Sequence, residues 1–150
     1  MIDERLIILD SSLSSKSEVL HYLAEQTKGV GYLGNVERYL MTVNEREKEF
    51  STAIGHSVSI PHGKSQEVLQ PFICFIRTLQ KIPWDQIENE VDLIFLLGIP
   101  EKQKGTLHLK ILAEISKKLL DESFREQLAV GNKETILKQL YQIENNVINH

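Results

Sequence analysis

The apolar positions of this chain change period several times, and each change marks an element. Residues 5–10, Arg5-Leu6-Ile7-Ile8-Leu9-Asp10, read as a short strand. The serines from Ser11 to Ser17 form a polar turn in which Ser15 or Ser17 can cap a helix. Val19, Leu20, Leu23 and Ala24 then recur at helical spacing until Lys28-Gly29-Val30-Gly31, where glycine suits a left-handed C-cap. Asn35 opens a second predicted helix, with Val36, Tyr39, Leu40 and Val43 on its apolar side and the charged run 44–49 at its end. The runs 72–78 and 91–98 are almost continuously apolar and rich in β-branched and aromatic residues, as buried strands are, and Ile99-Pro100 is expected to end the second. From Thr106 the period is helical again, with His108, Ile111, Leu112, Ile115 and Leu119 on one stripe. Further helices are expected over 121–130 and 133–143. No repeat, low-complexity tract or linker interrupts this order, so the expectation is an α/β fold, a single domain over residues 1–150 with a mixed β-sheet flanked by helices.

Composition narrows the function classes. A chain of 150 residues can bury one core without disulfides or a structural metal, and 41% hydrophobic with 25% charged residues is ordinary for a soluble domain. The net charge of −4 gives no general attraction to nucleic acid or anionic lipid. Apolar runs such as Leu93-Ile94-Phe95-Leu96-Leu97 fall far short of the roughly 20 residues that span a bilayer, so no direct membrane insertion is expected. The N-terminal residues do not resemble a signal peptide, and the one cysteine, Cys74, cannot form an internal disulfide. A cytoplasmic location is the expectation.

Candidate chemistry concentrates in residues 51–64, a β-type run that ends on His62 between Pro61 and Gly63. Proline fixes φ and glycine permits unusual backbone angles, so the imidazole is expected on a shaped turn. A local backbone hydrogen bond and a nucleophilic role weigh equally for it. His108 falls on the apolar stripe of its helix but in the first turn; a core histidine is the commoner case, against a site where helix N–H groups welcome an anion. Arg46, in the charged run, is ordinarily a solvated side chain, and only the fold can bring its guanidinium to His62 as an anion clamp. Thr52 and Ser59 could donate hydroxyl hydrogen bonds to the same anion, although such residues in strands are more often structural. Gly63-Lys64-Ser65 looks like the end of a P-loop, but Val58 stands where that motif requires glycine. His56, His62 and His108 could serve a metal-dependent hydrolase as three zinc ligands, without any paired-ligand motif to strengthen the idea. Cys74 lies in an apolar run and reads as a buried, inert thiol.

Taken together, Arg46-Glu47, Ser51-Thr52, Ile54-Gly55, Ile60-Pro61-His62-Gly63, the strand 91–98 and His108-Leu109 resemble the enzyme IIA domain of the fructose/mannitol family of the bacterial sugar phosphotransferase system (PTS). The resemblance covers about the whole chain. It implies a phosphoryl carrier in which His62 is the phosphorylated histidine, His108 the second active-site histidine and Arg46 the active-site arginine. It implies the phosphocarrier HPr as donor, an enzyme IIB cysteine as acceptor and, indirectly, a membrane IIC transporter. No cofactor, metal or nucleotide enters that scheme. Nitrogen-type relatives of the family imply an alternative, a regulatory IIA module whose phosphorylation state controls a partner protein.

Overall fold

In the computed structural model, which describes residues 1–149, a six-stranded mixed sheet lies between two layers of helix. The strands are β1 (Ile7–Ser11), β2 (Ala53–Gly55), β3 (Val58–Ser59), β4 (His62–Ser65), β5 (Phe72–Pro83) and β6 (Glu90–Pro100). The helices are α1 (Lys16–Val30), α2 (Val36–Glu49), α3 (Leu107–Lys118), α4 (Glu122–Val130) and α5 (Lys133–Ile148). A 3-10 turn at Glu4–Leu6 takes the first two residues of the predicted first strand, because the Asp3 side chain accepts a hydrogen bond from the Arg5 N–H and caps a tight turn there. α1 begins on the Ser15 side chain and α2 on that of Asn35, and Gly31 closes α1 with φ +96°, as the sequence predicts.

Strand order is β1-β5-β6-β3-β2, with β4 also paired to β6. β1 runs parallel to β5, β5 and β6 are antiparallel, and β3 and β4 both run parallel to β6. One face packs on α3, α4 and α5 through Phe75, Phe95, Leu97, Ile111, Phe124, Ile136 and Leu140. The opposite face packs on α1 and α2 through Leu20, Leu23, Tyr39, Val43, Phe72, Ile76 and Leu96. Burying each such side chain stabilises the fold by about 1.5–3 kcal/mol before conformational entropy is set against it. The two long strands run on beyond their predicted ends: β5 continues to Pro83, and Pro100 is the last residue of β6 instead of its stop. α5 continues to Ile148 because Val147 is still buried, four residues after Ile143. Arg77 sits within the apolar β5 run because its guanidinium donates to Asp10 Oδ1 at 3.0 Å and to the Leu128 and Gly131 carbonyls at 3.0 and 2.9 Å.

β3 and β4 form one line along β6. Val58 faces Leu93, Ser59 faces Ile94 and, after a gap of two residues, His62 faces Leu97 in the same register. The gap is Ile60-Pro61. Proline has no N–H to place in the ladder, and the Ile60 N–H turns the other way, to the Thr52 carbonyl at 3.0 Å. On the other side of the sheet, Gly98 lies under Phe72, whose ring meets Tyr39 edge-on at 5.7 Å, while the Tyr39 hydroxyl donates to the Leu97 carbonyl at 2.7 Å. These contacts seat α2 over the β4 and β6 strands. A methyl group at Gly98 would overlap the buried Phe72 ring, so Gly98→Ala is expected to destabilise the protein by about 1–3 kcal/mol. Urea unfolding monitored by circular dichroism measures the loss.

Candidate functional site

His62 opens β4 instead of ending a turn, and its neighbours act differently from what their residue types suggest. Gly63 does not have the positive φ of Gly31, Gly55 and Gly105. Its close approach to α2 favours glycine instead, since a Cβ would stand 3.1 Å from Val43 Cγ2 and 3.3 Å from Tyr39 Cε1. Alternation along the strand then puts Gly63 on the α2 face and His62, paired with Leu97, on the face that carries α3.

The ring of His62 is held by its own strand. Nδ1 lies 2.8 Å from the Ile60 carbonyl oxygen. A carbonyl can only accept, so Nδ1 carries the hydrogen and Nε2 keeps a free lone pair. Burial lowers the His62 pKa first, and the nearby Arg46 charge and His108 lower it further, against the opposing influence of the Ile60 hydrogen bond and of Glu47. The ring is therefore neutral at physiological pH. His62 is half-buried, with one side open to solvent.

His108 occupies the first turn of α3, half-buried, and its Nδ1 is fully buried without a hydrogen-bond partner. Its pKa is lowered by burial and by the charge of Lys64. α3 differs from the other four helices at its start: Thr106 makes no capping hydrogen bond, whereas Ser15, Asn35, Asp121 and Asn132 each cap theirs. Arg46, in the last turn of α2, is half-buried instead of freely solvated, and Nη1 donates to the Phe50 carbonyl at 2.8 Å. The fold thus brings Arg46 and His108, from helices on opposite faces of the sheet, to one histidine.

The remaining candidates go elsewhere. Thr52 is buried, donates through Oγ1 to Glu47 Oε1 and accepts from Trp84 Nε1 at 3.2 Å, so its hydroxyl is already engaged. Ser59 shares the register of Ile94 on the α1 and α2 face, and its buried hydroxyl has no partner. His56 and Ser57, with φ of 55° and 62°, form the exposed two-residue tip of the β2–β3 hairpin, the geometry of a type I′ turn. His56 borders a groove with Lys81, Asp92, Glu122 and Arg125, and among the described residues no three His, Cys, Asp or Glu side chains converge as metal ligands. The three-histidine zinc reading therefore fails on geometry. Cys74 is fully buried, within 3.1 Å of Thr27 Oγ1, with its thiol pKa pushed up to about 12 by burial, which keeps it inert. Sequence reasoning missed Lys16, which pairs with Glu47, and Trp84, which hydrogen-bonds both Lys16 and Thr52. Positions so far apart in the chain carry no local pattern that would link them.

The chain is thus an α/β domain, a mixed sheet with helices on both faces and a histidine at the start of its β4 strand. The profile for "Phosphoenolpyruvate-dependent sugar phosphotransferase system, EIIA 2" matches residues 1–143, and the chain belongs to that family. Among curated relatives, the PTS system fructose-like EIIA component of Escherichia coli (strain K12) is 34% identical over 125 residues, covering 83% of this chain and 84% of that protein. The 2-O-alpha-mannosyl-D-glycerate-specific EIIABC component of the same organism is 27% identical over 124 residues, which is 81% of this chain but only 19% of that longer protein. Among solved structures, the nitrogen regulatory protein IIA-Ntr from Neisseria meningitidis superposes with a TM-score of 0.80 at 28% identity, covering 91% of this chain and 94% of that one. No helix among the described residues is long and apolar enough to cross a membrane.

The lowered histidine pKa values fix a sign. Unfolded, both rings titrate near the ordinary value of about 6.5; folded, they resist protonation, so the unfolded state binds more protons as the medium becomes acidic. Stability is expected to fall as pH drops through about 6.5 and to level off below the folded values, with a shallower fall in His62→Gln. Urea midpoints between about pH 8 and pH 5 test this, and a wild type that gains stability on acidification would contradict it.

Proposed function

We propose that this chain, acting as one EIIA domain over residues 1–150, is a cytoplasmic phosphoryl carrier with His62 as the acceptor. The observation that carries the proposal is the Nδ1–H···O=C bond to Ile60, which leaves Nε2 unprotonated and pointed away from its own strand. Phospho-HPr supplies the group: the Nε2 lone pair forms the new P–N bond as the P–N bond to the donor histidine breaks, and the donor ring leaves with that electron pair. In the second transfer a thiolate of an enzyme IIB forms the S–P bond, and His62 Nε2 is the leaving group. A membrane IIC component then completes delivery to a sugar that never touches this chain.

In-line phosphoryl transfer depends on positioning and charge stabilisation, and this chain has both to offer. Arg46 supplies a guanidinium for the phosphoryl oxygens. The uncapped first turn of α3 adds N–H donors and a partial positive charge. His108 stands at the same turn, and its unpartnered Nδ1 is a polar group that gains from any rearrangement bringing it a partner. The neutral state of His62 matters equally, because a protonated ring has no lone pair with which to attack. The thiol needed in the IIB step must come from another protein, since Cys74 is buried and held protonated.

The likeness to the Neisseria nitrogen regulatory protein favours a second reading, in which the same phosphorylation changes the grip of this domain on a partner protein instead of feeding a sugar. Onward transfer separates the two. The transport reading expects rapid passage of label from His62 to a IIB protein, whereas stable phosphoprotein in the presence of IIB proteins supports regulation.

Incubation with enzyme I, HPr and phosphoenolpyruvate should yield an acid-labile phosphoprotein, and His62→Ala should abolish the label; persistent labelling would remove the assignment. Arg46→Ala should slow transfer while costing about 1 kcal/mol of stability, the worth of its one hydrogen bond to Phe50. His108→Ala should also slow transfer while His62 still accepts some phosphate, and an unchanged rate would count against a role in the site.

A further inference from the structure

The last turn of α2 sets two opposite charges side by side in the chain, Arg46 and Glu47, and the fold gives them different partners. The Glu47 side chain is only 5% exposed, and its Oε2 pairs with Lys16 Nζ at 2.8 Å. Its Oε1 accepts the Thr52 hydroxyl hydrogen, and the Thr52 backbone N–H points to Oε2 at 3.5 Å. Trp84 closes the group: Nε1 donates to Thr52 Oγ1 at 3.2 Å, the carbonyl accepts from Lys16 Nζ at 3.3 Å, and the same ammonium lies 4.6 Å from the ring centroid. The start of α1, the end of α2, the residue before β2 and the residue after β5 thus converge on one carboxylate. Arg46, by contrast, pairs with no carboxylate among the described residues and is bound only to the Phe50 carbonyl.

A nearly buried carboxylate needs a counterion, and the charges of Glu47 and Arg46 both act on the His62 ring, so the guanidinium is the other cation of the site that Glu47 could recruit if Lys16 were lost. An Arg46 paired with Glu47 would bring little net charge to a phosphoryl group. The clamp also fixes Thr52, two residues from the Phe50 carbonyl that steers the guanidinium. We infer that Lys16, Thr52 and Trp84, acting through Glu47, are positioning residues for Arg46: by supplying Glu47 with another counterion and pinning the 50–52 segment, they reserve the Arg46 charge for the group on His62. The inference rests on the reading of His62 as phosphoryl acceptor.

The experiment measures the rate of phosphorylation by phospho-HPr for the full chain and its variants, at a temperature where circular dichroism shows each to be folded. Lys16→Met keeps the apolar stem and deletes the counterion; it should slow transfer by about tenfold or more, the scale of a misplaced catalytic group. Adding Glu47→Gln to Lys16→Met removes the competing charge, so the double variant should transfer faster than Lys16→Met alone. In an Arg46→Ala background, Lys16→Met should add less than about a twofold loss, because the residue it acts through is already gone. Thr52→Val, which keeps the shape and removes the hydroxyl donor, should behave as Lys16→Met does and provides the same test if Lys16→Met does not fold. Wild-type rates in both single variants, no rescue by Glu47→Gln, or an undiminished loss in the Arg46→Ala background would each overturn the inference while leaving the acceptor assignment intact. A wild type that accepts no phosphate would overturn both together.

Discussion

The site depends on the hydrogen bond from His62 Nδ1 to the Ile60 carbonyl, which forms beside Pro61, a residue that cannot donate to the ladder. The chain from Val58 to Ser65 holds a single register against β6, so the interruption at Ile60-Pro61 does not move the strand sideways. The polar groups on either side of it keep their strand partners. The Ile60 N–H turns to Thr52, the Pro61 carbonyl accepts from Leu97 at 3.0 Å, and the Ile60 carbonyl is left for the His62 ring. A side chain that would otherwise rotate freely is locked as one tautomer in one orientation by a backbone atom two residues earlier. Tyr39, Phe72 and Gly98 fix the opposite face of the same strands, and in the proposed relay an acceptor held this way would need no reorganisation to meet either partner.

Charge is partitioned around this fixed ring. Burial and the Arg46 cation both favour the neutral imidazole, which is the nucleophilic form, and in the proposed relay the same cation would favour the phosphorylated ring. Neutralising Arg46 within the fold would remove both effects. The Glu47 side chain beside it is nearly buried and held by Lys16 and Thr52, with Trp84 bonded to both of these. The fold supplies the pieces from both helical layers: Arg46 from the α2 layer, His108 from the α3 layer, with the edge of the sheet between them.

Much of this was legible in the sequence because the relevant physics is local. Caps at Ser15 and Asn35, the left-handed Gly31, the two apolar central strands and the helix from Thr106 follow from side-chain hydrogen bonding, backbone sterics and periodicity over a few residues. Strand lengths were less legible: β5 continues to Pro83 in an arm where Leu79 is exposed and only Ile82 and its partner Val91 remain buried, and β6 continues to Pro100 because Lys64 and Ser65 of β4 pair with it there. Gly63 was assigned the wrong reason, backbone freedom, because residue type cannot distinguish a positive φ from a close approach by a helix. The roles of Thr52 and Ser59 were equally hidden, since the partner that engages one and the layer that covers the other are set by tertiary contacts. Likewise, nothing local links Lys16 to Glu47 across 31 positions or to Trp84 across 68.

In the proposed relay, the backbone of Ile60 selects which ring nitrogen of His62 reacts. Nitrogen-15 NMR of the phosphorylated protein, labelled in its histidines, distinguishes a phosphoryl group on Nε2 from one on Nδ1. Phosphate is expected on Nε2 of His62, with Nδ1 still bearing its hydrogen. Phosphate on Nδ1 would require the bond to Ile60 to break and would contradict the account.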